Sequence, residues 1–594
     1  MSILEAQQLI SELEHLPPEE LAFLAAFYGS QIAAALFAAR TLYVAIGRLF
    51  GFYSPEHYSM WPRVPWRPFV ILWLRTSEIY ERLFLMGKRS TAGFASTLST
   101  LTNLYRSRPG ELFLGRASLS DIPVLMPLGA QIETHAFLYG KSGSGKTALL
   151  LSIVSLWKGS CFLIDAKNGE ISETLAPYDK RRTWYVISPY SPDTSACFNV
   201  FDLIKEEIER NGGDIGIAVK WAMRISEALI RMPPDSKQPY FYLTPQAFLA
   251  GVILLVLLTH HEEEHNLVVV YKLIVNGYRV YDDDGSEIDT TEDERMELLF
   301  RALDRVSALD DAVRESTKAF SVASGDTKTS LYSTLFSQLQ FLSIPSVKAI
   351  LRSTTIPLSQ LKTRDDVVLS FTASLFSIRE ELSPLSRLLT NMIAYSFESV
   401  PDELKRGQCL TVVEEMNAQG YNPVWEVTLP AARSNGQTVL GCSQNVEFMR
   451  NAYPRTWATF TGEADIVYWL SCSHKETKSF LADELGEKTI IEQNKYSGHK
   501  SYRDVKVMSP EQVGRYLKPQ KGGTGHLIIT RAGKRALKAY SDPYFKALSV
   551  LRYAKSKVHK EPLMRRLMRL LFDRKQHLAS PATPSTKSQA EEQP

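Results

Sequence analysis

The sequence predicts an α/β protein with a parallel sheet, an all-helical insertion and an apolar helical segment near the N-terminus. Three observations predict this class. Short apolar runs alternate with helical segments between residues 131 and 200 and again from residue 366, residues 205–345 read as helices, and residues 21–39 contain no charged side chain. A strand, a helix and another strand in that order indicate a parallel sheet.

The composition excludes several classes of protein. The net charge of +3 over 594 residues is too balanced for a chain that binds nucleic acid by overall charge, so any basic surface must be local. The five cysteines are scattered without a C-x-x-C pair, which argues against a disulfide scaffold or a zinc site and fits a reducing compartment. A chain of this length needs several domains.

The N-terminal segment has two interpretations. Residues 21–39 are long enough to cross a bilayer as a helix, and a second apolar stretch, residues 41–53, is interrupted by Arg48. Trp61, Trp66 and Trp73 follow, as is typical of a membrane interface or of an ordinary core. We expect residues 1–60 to insert into or lie on a membrane; the alternative is a helical hairpin packed on protein.

The α/β pattern is split in two. Strands are predicted at residues 135–139, 161–164 and 184–187, with a helix at 148–157; strands at 366–371, 410–413 and 438–442 follow the insertion. The predicted organisation is N-terminal helices 1–60, a linker 61–110, a nucleotide-binding domain in two parts (111–204 and 346–550), the all-α insertion 205–345, a basic helix 551–579 and a disordered tail 580–594.

A glycine-rich loop follows the first of these strands and fits G-x-x-x-x-G-K-[ST] without a gap. Its residues are Gly140, Lys141, Ser142, Gly143, Ser144, Gly145, Lys146 and Thr147. Such a P-loop directs backbone N–H groups at phosphate oxygens, with Lys146 at the β- and γ-phosphates and Thr147 on Mg²⁺. The strand before it and the helix after it predict a site for ATP with Mg²⁺.

Acidic residues at strand ends supply the expected second half of this site. Glu414 and Glu415 directly follow the apolar run of residues 410–413. In the usual arrangement of such a site, the first acid holds the Mg²⁺ shell and the second orients the attacking water. Asp165 ends the strand after the P-loop helix, at the edge where open parallel sheets bind ligands, and is a further candidate for the metal. The alternatives are surface acids for the pair and a simple turn for Asp165.

Three polar segments have more than one interpretation. The acidic stretch 281–294 is read as a solvated loop rather than a cation site. His260, His261 and His265 lie among glutamates, as a solvated loop or a metal site. The basic segment 555–575 is interpreted as a solvated helix, as a nucleic-acid contact, or as a docking segment for a partner or a membrane.

Together these motifs resemble the coupling-protein ATPases of type IV secretion and conjugation systems, relatives of the FtsK-type DNA pumps. The resemblance covers roughly residues 110–545. It rests on the P-loop, the turn of residues 165–170, the segments 240–242, 328–335 and 509–511, the acids Glu414 and Glu415, and the sequence Ala432-Arg433-Ser434-Asn435-Gly436 followed by Gln444. The first strand-end acid departs from the family, which usually has Asp there.

The resemblance implies a RecA-like P-loop ATPase domain that forms a homo-hexameric ring on the cytoplasmic face of the bacterial inner membrane. Gln444 would sense the γ-phosphate, and Arg433 would reach the site of the neighbouring subunit as an arginine finger. Implied partners are DNA, a relaxase or secreted protein cargo, and the secretion channel. Two other functions stay open: a nucleotide-binding recruitment receptor with little hydrolysis, and a soluble double-stranded DNA translocase.

Overall fold

The strands of the central sheet are apolar along nearly their whole length. In the computed structural model, every residue of β3 (His135–Tyr139), β4 (Cys161–Asp165), β6 (Val367–Thr372), β7 (Cys409–Val413) and β8 (Gln437–Ser443) is buried. Strands of this kind, without polar alternation, belong to a parallel sheet covered on both faces. This confirms the predicted α/β class.

The structure describes residues 93–95, 100, 102–119, 122–279, 288–305, 312–493, 500–518 and 525–541. All of them belong to one compact unit, Met86–Tyr553. The predicted N-terminal helices, the basic segment, the C-terminal tail and the first half of the acidic stretch lie outside the described residues. The domain boundaries therefore stay predictions.

The parallel part of the sheet also contains β5 (Thr183–Ile187) and β9 (Ile466–Trp469). Its strand order is β9-β3-β8-β7-β4-β6-β5, and every neighbouring pair in this series runs parallel. The carboxyl ends of β3, β8, β7 and β4 consequently meet at one edge, which is where open parallel sheets bind ligands.

An antiparallel extension continues the sheet beyond β9. Its strands, in the order β2-β1-β13-β12, are β1 (Glu111–Leu119), β2 (Ile122–Gln131), β12 (Gly525–Arg531) and β13 (Lys534–Ser541). Strand β12 pairs with β9, and β13 pairs with β1, so the start and the end of the sheet sequence lie side by side.

Helices cover the parallel strands. They are α1 (Lys146–Leu156) and α2 (Glu170–Leu175) after β3 and β4, α12 (Leu375–Arg379) and α13 (Ser383–Ser399) after β6, α14 (Val424–Asn435) before β8, α15 (Val446–Ala452) and α16 (Thr459–Gly462) before β9, and α17 (Lys475–Glu484) and α18 (Pro510–Tyr516) after it. Between α17 and α18 lies a separate hairpin of β10 (Glu487–Gln493) and β11 (Lys500–Lys506).

The helical insertion lies between β5 and β6. Its helices are α3 (Val200–Arg210), α4 (Gly216–Leu229), α5 (Tyr240–Thr259), α6 (Leu267–Asn276), α7 (Glu292–Asp304), α8 (Ala312–Ser321), α9 (Gly325–Leu339), α10 (Pro345–Ile350) and α11 (Gln360–Thr363). The central helix α5 packs against α4, α8 and α9. By length and hydropathy α5 is the one described helix that could span a membrane, but 61% of its apolar window is buried in protein. It is a core helix of the insertion, with residues 248–256 all buried.

Candidate functional site

The P-loop is held between the ends of three strands. The ring of Tyr139, at the end of β3, stacks on that of Trp469 at the end of β9, with ring centres 4.9 Å apart. The N–H of Gly140 donates to Ser443 O at the end of β8, at 3.2 Å, and the N–H of Lys141 donates to Ser471 O, at 3.1 Å. The loop therefore begins from a fixed position and turns into helix α1 at Lys146.

Two glycines of the loop are required by its geometry. Gly145 precedes α1 with φ of 92°, in the left-handed region that other residues adopt only with strain. A Cβ on Gly140 would lie 2.6 Å from Ser144 Oγ and 2.9 Å from Leu470 Cβ. The compact loop thus depends on glycine both for its turn and for its close approach to β9.

Lys146 and Glu415 form a buried ion pair. Lys146 Nζ donates to Glu415 Oε1 at 2.5 Å, and each side chain is 3% exposed. Glu415 follows β7 with φ of 52° and ψ of 56°, a left-handed backbone that is unusual outside glycine and is often found at functional sites. This turn brings Glu415, the second strand-end acid, to the P-loop lysine. The sequence predicted that these two residues belong to one site.

Glu414 makes a second ion pair, with a lysine to which the sequence assigned no role. Lys167 Nζ lies 2.9 Å from Glu414 Oε1 and donates to Thr147 Oγ1 at 2.6 Å. The side chain of Glu414 is fully buried, whereas that of Lys167 is 39% exposed. Lys167 therefore joins the two residues that the sequence predicted as Mg²⁺ ligands.

Burial controls the electrostatics of this cluster. It raises the pKa of Glu414, against the opposing effect of the Lys167 ammonium. Burial also raises the pKa of Asp165 to about 6, although hydrogen bonds from Ser172 oppose the shift. Burial would lower the pKa of Lys167, but the Glu414 carboxylate outweighs it and the pKa is raised. Negative charge at this edge is thus costly without nearby cations.

The same cluster fits Mg²⁺ bound together with a nucleotide. Glu414 Oε2 and Glu415 Oε2 are buried without a hydrogen-bond partner in the described part of the chain. No three His, Cys, Asp or Glu side chains among the described residues converge on a metal position by themselves, including those around His260. Mg²⁺ at nucleotide sites typically takes one or two carboxylates and completes its shell with phosphates and water, which suits Glu414 and Thr147.

Asp165 acts mainly as a helix cap. Its Oδ2 accepts hydrogen bonds from the N–H groups of Ile171 and Ser172, at 2.9 and 3.0 Å, and from Ser172 Oγ at 3.2 Å. These contacts hold the first turn of α2. Its Oδ1 is buried without a hydrogen-bond partner among the described residues, so the suggested role at the metal stays a prediction for that one atom.

Gln444 and Arg433 lie on the elements that flank β8. Gln444 directly follows β8 at the same sheet edge as the P-loop and is partly exposed. Arg433 lies in the last turn of α14, which leads into β8 through Gly436. Their roles as γ-phosphate sensor and arginine finger stay predictions.

Two features of the site escaped the sequence interpretation. The role of Lys167 had one available signal, its position two residues after a strand-end acid. A basic cavity of about 590 Å³ beside the P-loop had none, because its residues are distant in sequence: they include Lys141, Ser471, Lys478, Glu511, Arg515 and Lys518. Residues 509–511, one of the segments that resemble the coupling-protein family, form the start of α18, where Ser509 and Gln512 make a capping box.

Comparisons with known proteins establish the fold and the family of the chain. The chain's fold is similar to that of the bacterial conjugative coupling protein TrwB in its unbound monoclinic form (TM-score 0.53, 13% identity, covering 72% of this chain and 88% of that one). It is also similar to TrwB in complex with ADP and Mg²⁺, with a TM-score of 0.55 and 13% identity over 77% of this chain and 94% of that one. The complex of TrwB with the ATP analogue ADPNP gives the same values.

At this identity the structural similarity establishes the fold, a P-loop ATPase sheet with a helical insertion. A search of curated protein sequences finds no match. The sequence model of the type IV secretory system conjugative DNA transfer family matches residues 94–578, well over half of the chain. With the P-loop and its paired acids placed as described, the chain belongs to the type IV secretory system conjugative DNA transfer family.

Proposed function

We propose that this chain is an ATP-driven coupling protein, which recruits DNA with its attached relaxase, or protein substrates, and moves them into a type IV secretion channel during conjugation. The observation that carries the proposal is the buried contact of Lys146 with Glu415 in a chain that matches the conjugative DNA transfer family. The contact supports one site that combines a phosphate-binding lysine with an acid able to orient water.

The nucleotide is ATP with Mg²⁺. Solved structures of TrwB contain ADP with Mg²⁺ and the ATP analogue ADPNP, and the P-loop of this chain lies between strand β3 and helix α1. Bound Mg²⁺ would neutralise phosphate charge in the transition state. Thr147 and Glu414 would hold it, and the N-terminus of α1 would favour the phosphates through its unpaired N–H groups.

The protein groups divide the remaining work. Lys146 leaves Glu415 to contact the β- and γ-phosphates, which frees the Glu415 carboxylate to accept a hydrogen bond from the attacking water. Gln444, at the end of β8, contacts the γ-phosphate, and Arg433 of a neighbouring subunit stabilises the charge that develops on it. This division requires a neighbouring subunit, and we propose that the subunits form a homo-hexameric ring held by residues 1–60 on the inner membrane.

An ATPase assay tests the hydrolysis step. The purified full-length parent is compared with Lys146→Ala, Glu415→Gln and the exposed-lysine control Lys158→Ala, each with and without DNA. We expect Lys146→Ala to lose ADP binding and turnover. Glu415→Gln should keep ADP affinity but lose roughly 100-fold or more in turnover, on the order of one essential transition-state contact. If Lys146→Ala hydrolyses ATP at the same rate as the parent, the result would favour the recruitment receptor over the ATP-driven motor.

A mixing experiment tests the shared site. Arg433→Ala and Glu415→Gln subunits are each expected to be inactive alone, because each lacks one half of every site. Co-assembled, they form some interfaces with an intact Glu415 and an intact Arg433, so turnover should reappear. No recovery in mixed rings, shown to be mixed by differential tags, would remove Arg433 from the neighbouring site.

A further inference from the structure

Lys167 joins two groups that the proposed function assigns to magnesium. Its ammonium donates to Thr147 Oγ1 at 2.6 Å and lies 2.9 Å from Glu414 Oε1. A cation that contacts both a hydroxyl and a carboxylate oxygen at these distances meets the same ligands that would hold Mg²⁺. The lysine therefore competes with the metal for the same electrostatic role.

The turn that carries Lys167 has a defined backbone. Lys167 pairs with Ser374 in an isolated antiparallel bridge, and the N–H of Asn168 donates to Ala373 O at 3.1 Å. Asn168 and Gly169 follow with φ of 55° and 85°, so the chain reverses directly after the lysine. This backbone is anchored to the segment after β6, and the long side chain of Lys167 reaches across to Glu414 after β7.

The two partners of this ion pair differ in their exposure. The Glu414 side chain is 0% exposed and needs a cation, since an unpaired buried carboxylate is strongly unfavourable. The Lys167 side chain is 39% exposed and can leave toward water at little cost. Exchange of cations at Glu414 is thus favoured in one direction: the lysine leaves and the acid stays.

We propose that Lys167 is a tethered counter-ion of the magnesium site, which neutralises Glu414 and holds Thr147 when no metal is bound and releases both to bind Mg²⁺ with the nucleotide. The inference rests on the proposed ATP function of the P-loop. Lys167 is a positioning residue for that site: it preserves the buried acid at the cost of weaker metal affinity, and it connects the site to the segment after β6.

The test is a titration of nucleotide binding with Mg²⁺. The affinity of a fluorescent ADP analogue is measured for the full-length parent, Lys167→Met and the exposed-lysine control Lys158→Met, from excess chelator to millimolar Mg²⁺. Lys167→Met is expected to lower the Mg²⁺ concentration for half-maximal ADP binding by roughly three- to tenfold, the size expected from loss of one partly exposed ion pair. Binding in excess chelator should not weaken, and Lys158→Met should match the parent.

Stability provides a second readout. Without Mg²⁺ and nucleotide, Lys167→Met should melt at a lower temperature than the parent, and Mg²⁺ with ADP should restore most of the difference. The double variant Glu414→Gln/Lys167→Met has no uncompensated acid at this position, so it should fold even where the single variant does not. Its Mg²⁺ requirement should differ from that of Glu414→Gln alone by less than Lys167→Met differs from the parent, because only the contact with Thr147 is then lost.

Opposite outcomes overturn the inference. An unchanged or higher Mg²⁺ requirement in Lys167→Met shows that the lysine does not compete with the metal. An equal loss of ADP affinity with and without Mg²⁺ makes Lys167 a phosphate ligand instead. A parent that binds no ADP would overturn the proposed function too, whereas Mg²⁺-dependent ADP binding by the parent with no change in Lys167→Met refutes the counter-ion role alone.

Discussion

Replacing Lys146 by Met removes one half of a buried ion pair and leaves Glu415 without its cation. The two side chains are each 3% exposed, and their charged atoms are 2.5 Å apart. Breaking such a pair from one side costs about 3–5 kcal/mol, because the remaining charge stays buried. Replacing both residues, as Lys146→Met/Glu415→Gln, removes that charge and should recover at least about 1 kcal/mol of the loss.

The assay is urea unfolding in the absence of nucleotide, followed by the fluorescence of tryptophans that include the buried Trp157 and Trp469. The coupling free energy comes from the cycle of the parent, the two single variants and the double variant. The matched control is Arg301 with Glu297 on α7, an ion pair of 2.6 Å in which both side chains are 63% exposed. Its coupling should stay below about 0.5 kcal/mol.

The result that refutes the reasoning is additivity at the buried pair. If the Lys146 and Glu415 variants sum to the double variant within about 0.5 kcal/mol, the contact contributes no more than the exposed control. The lysine and the acid would then not share a site before nucleotide binds, and the proposed exchange of partners at Lys146 would have no basis.

Three further predictions concern other parts of the structure. Gly140→Ala should weaken ADP binding by roughly tenfold or more, because its Cβ would lie 2.6 Å from Ser144 Oγ. The control Gly462→Ala, whose Cβ would have no atom within 4 Å, should leave ADP binding unchanged. Equal ADP affinities of the two variants would contradict the close approach at Gly140. Asp165→Asn should retain both the cap of α2 and the Mg²⁺-dependent ADP affinity, whereas Asp165→Ala should lower the urea midpoint. Loss of the Mg²⁺ dependence of ADP binding in Asp165→Asn would instead support a role of Asp165 at the metal. Burial lowers the pKa of His135 below its usual 6.5, so its contribution to stability is present above pH 6.5 and is lost as pH falls through the pKa of the folded state. Between about pH 7.5 and pH 5.5 the urea midpoint should therefore fall less in His135→Gln than in the parent. An equal fall in both would show that His135 does not cause the pH dependence.

Most strands of the parallel sheet could be predicted from the sequence. Their apolar runs are short, uninterrupted and bounded by polar segments, and the structure confirms them to within one or two residues at each end. Helix α1 begins two residues earlier than predicted because Lys146 and Thr147 of the P-loop form its first turn. The P-loop itself was predictable because its chemistry is encoded in adjacent residues.

The antiparallel extension could not be predicted in the same way. The pairing of β1 with β13 joins Arg116 to Tyr540, and nothing in either local sequence specifies so distant a partner. The capping role of Asp165 was also missed, since a strand-end acid can face a metal or its own following helix. Which of the two it does depends on the path of the chain after residue 165.

The sequence by itself determined the class of fold, the phosphate-binding loop and the acids that could act with it, since spacing and residue type within a few positions specify each of these. Only the tertiary structure decided which charges meet. The order β3-β8-β7-β4 places Lys146, Glu415, Glu414 and Lys167 at one buried edge, although they come from three separate segments. Burial there makes each carboxylate depend on a cation, and that dependence follows from through-space distance and exposure rather than from sequence.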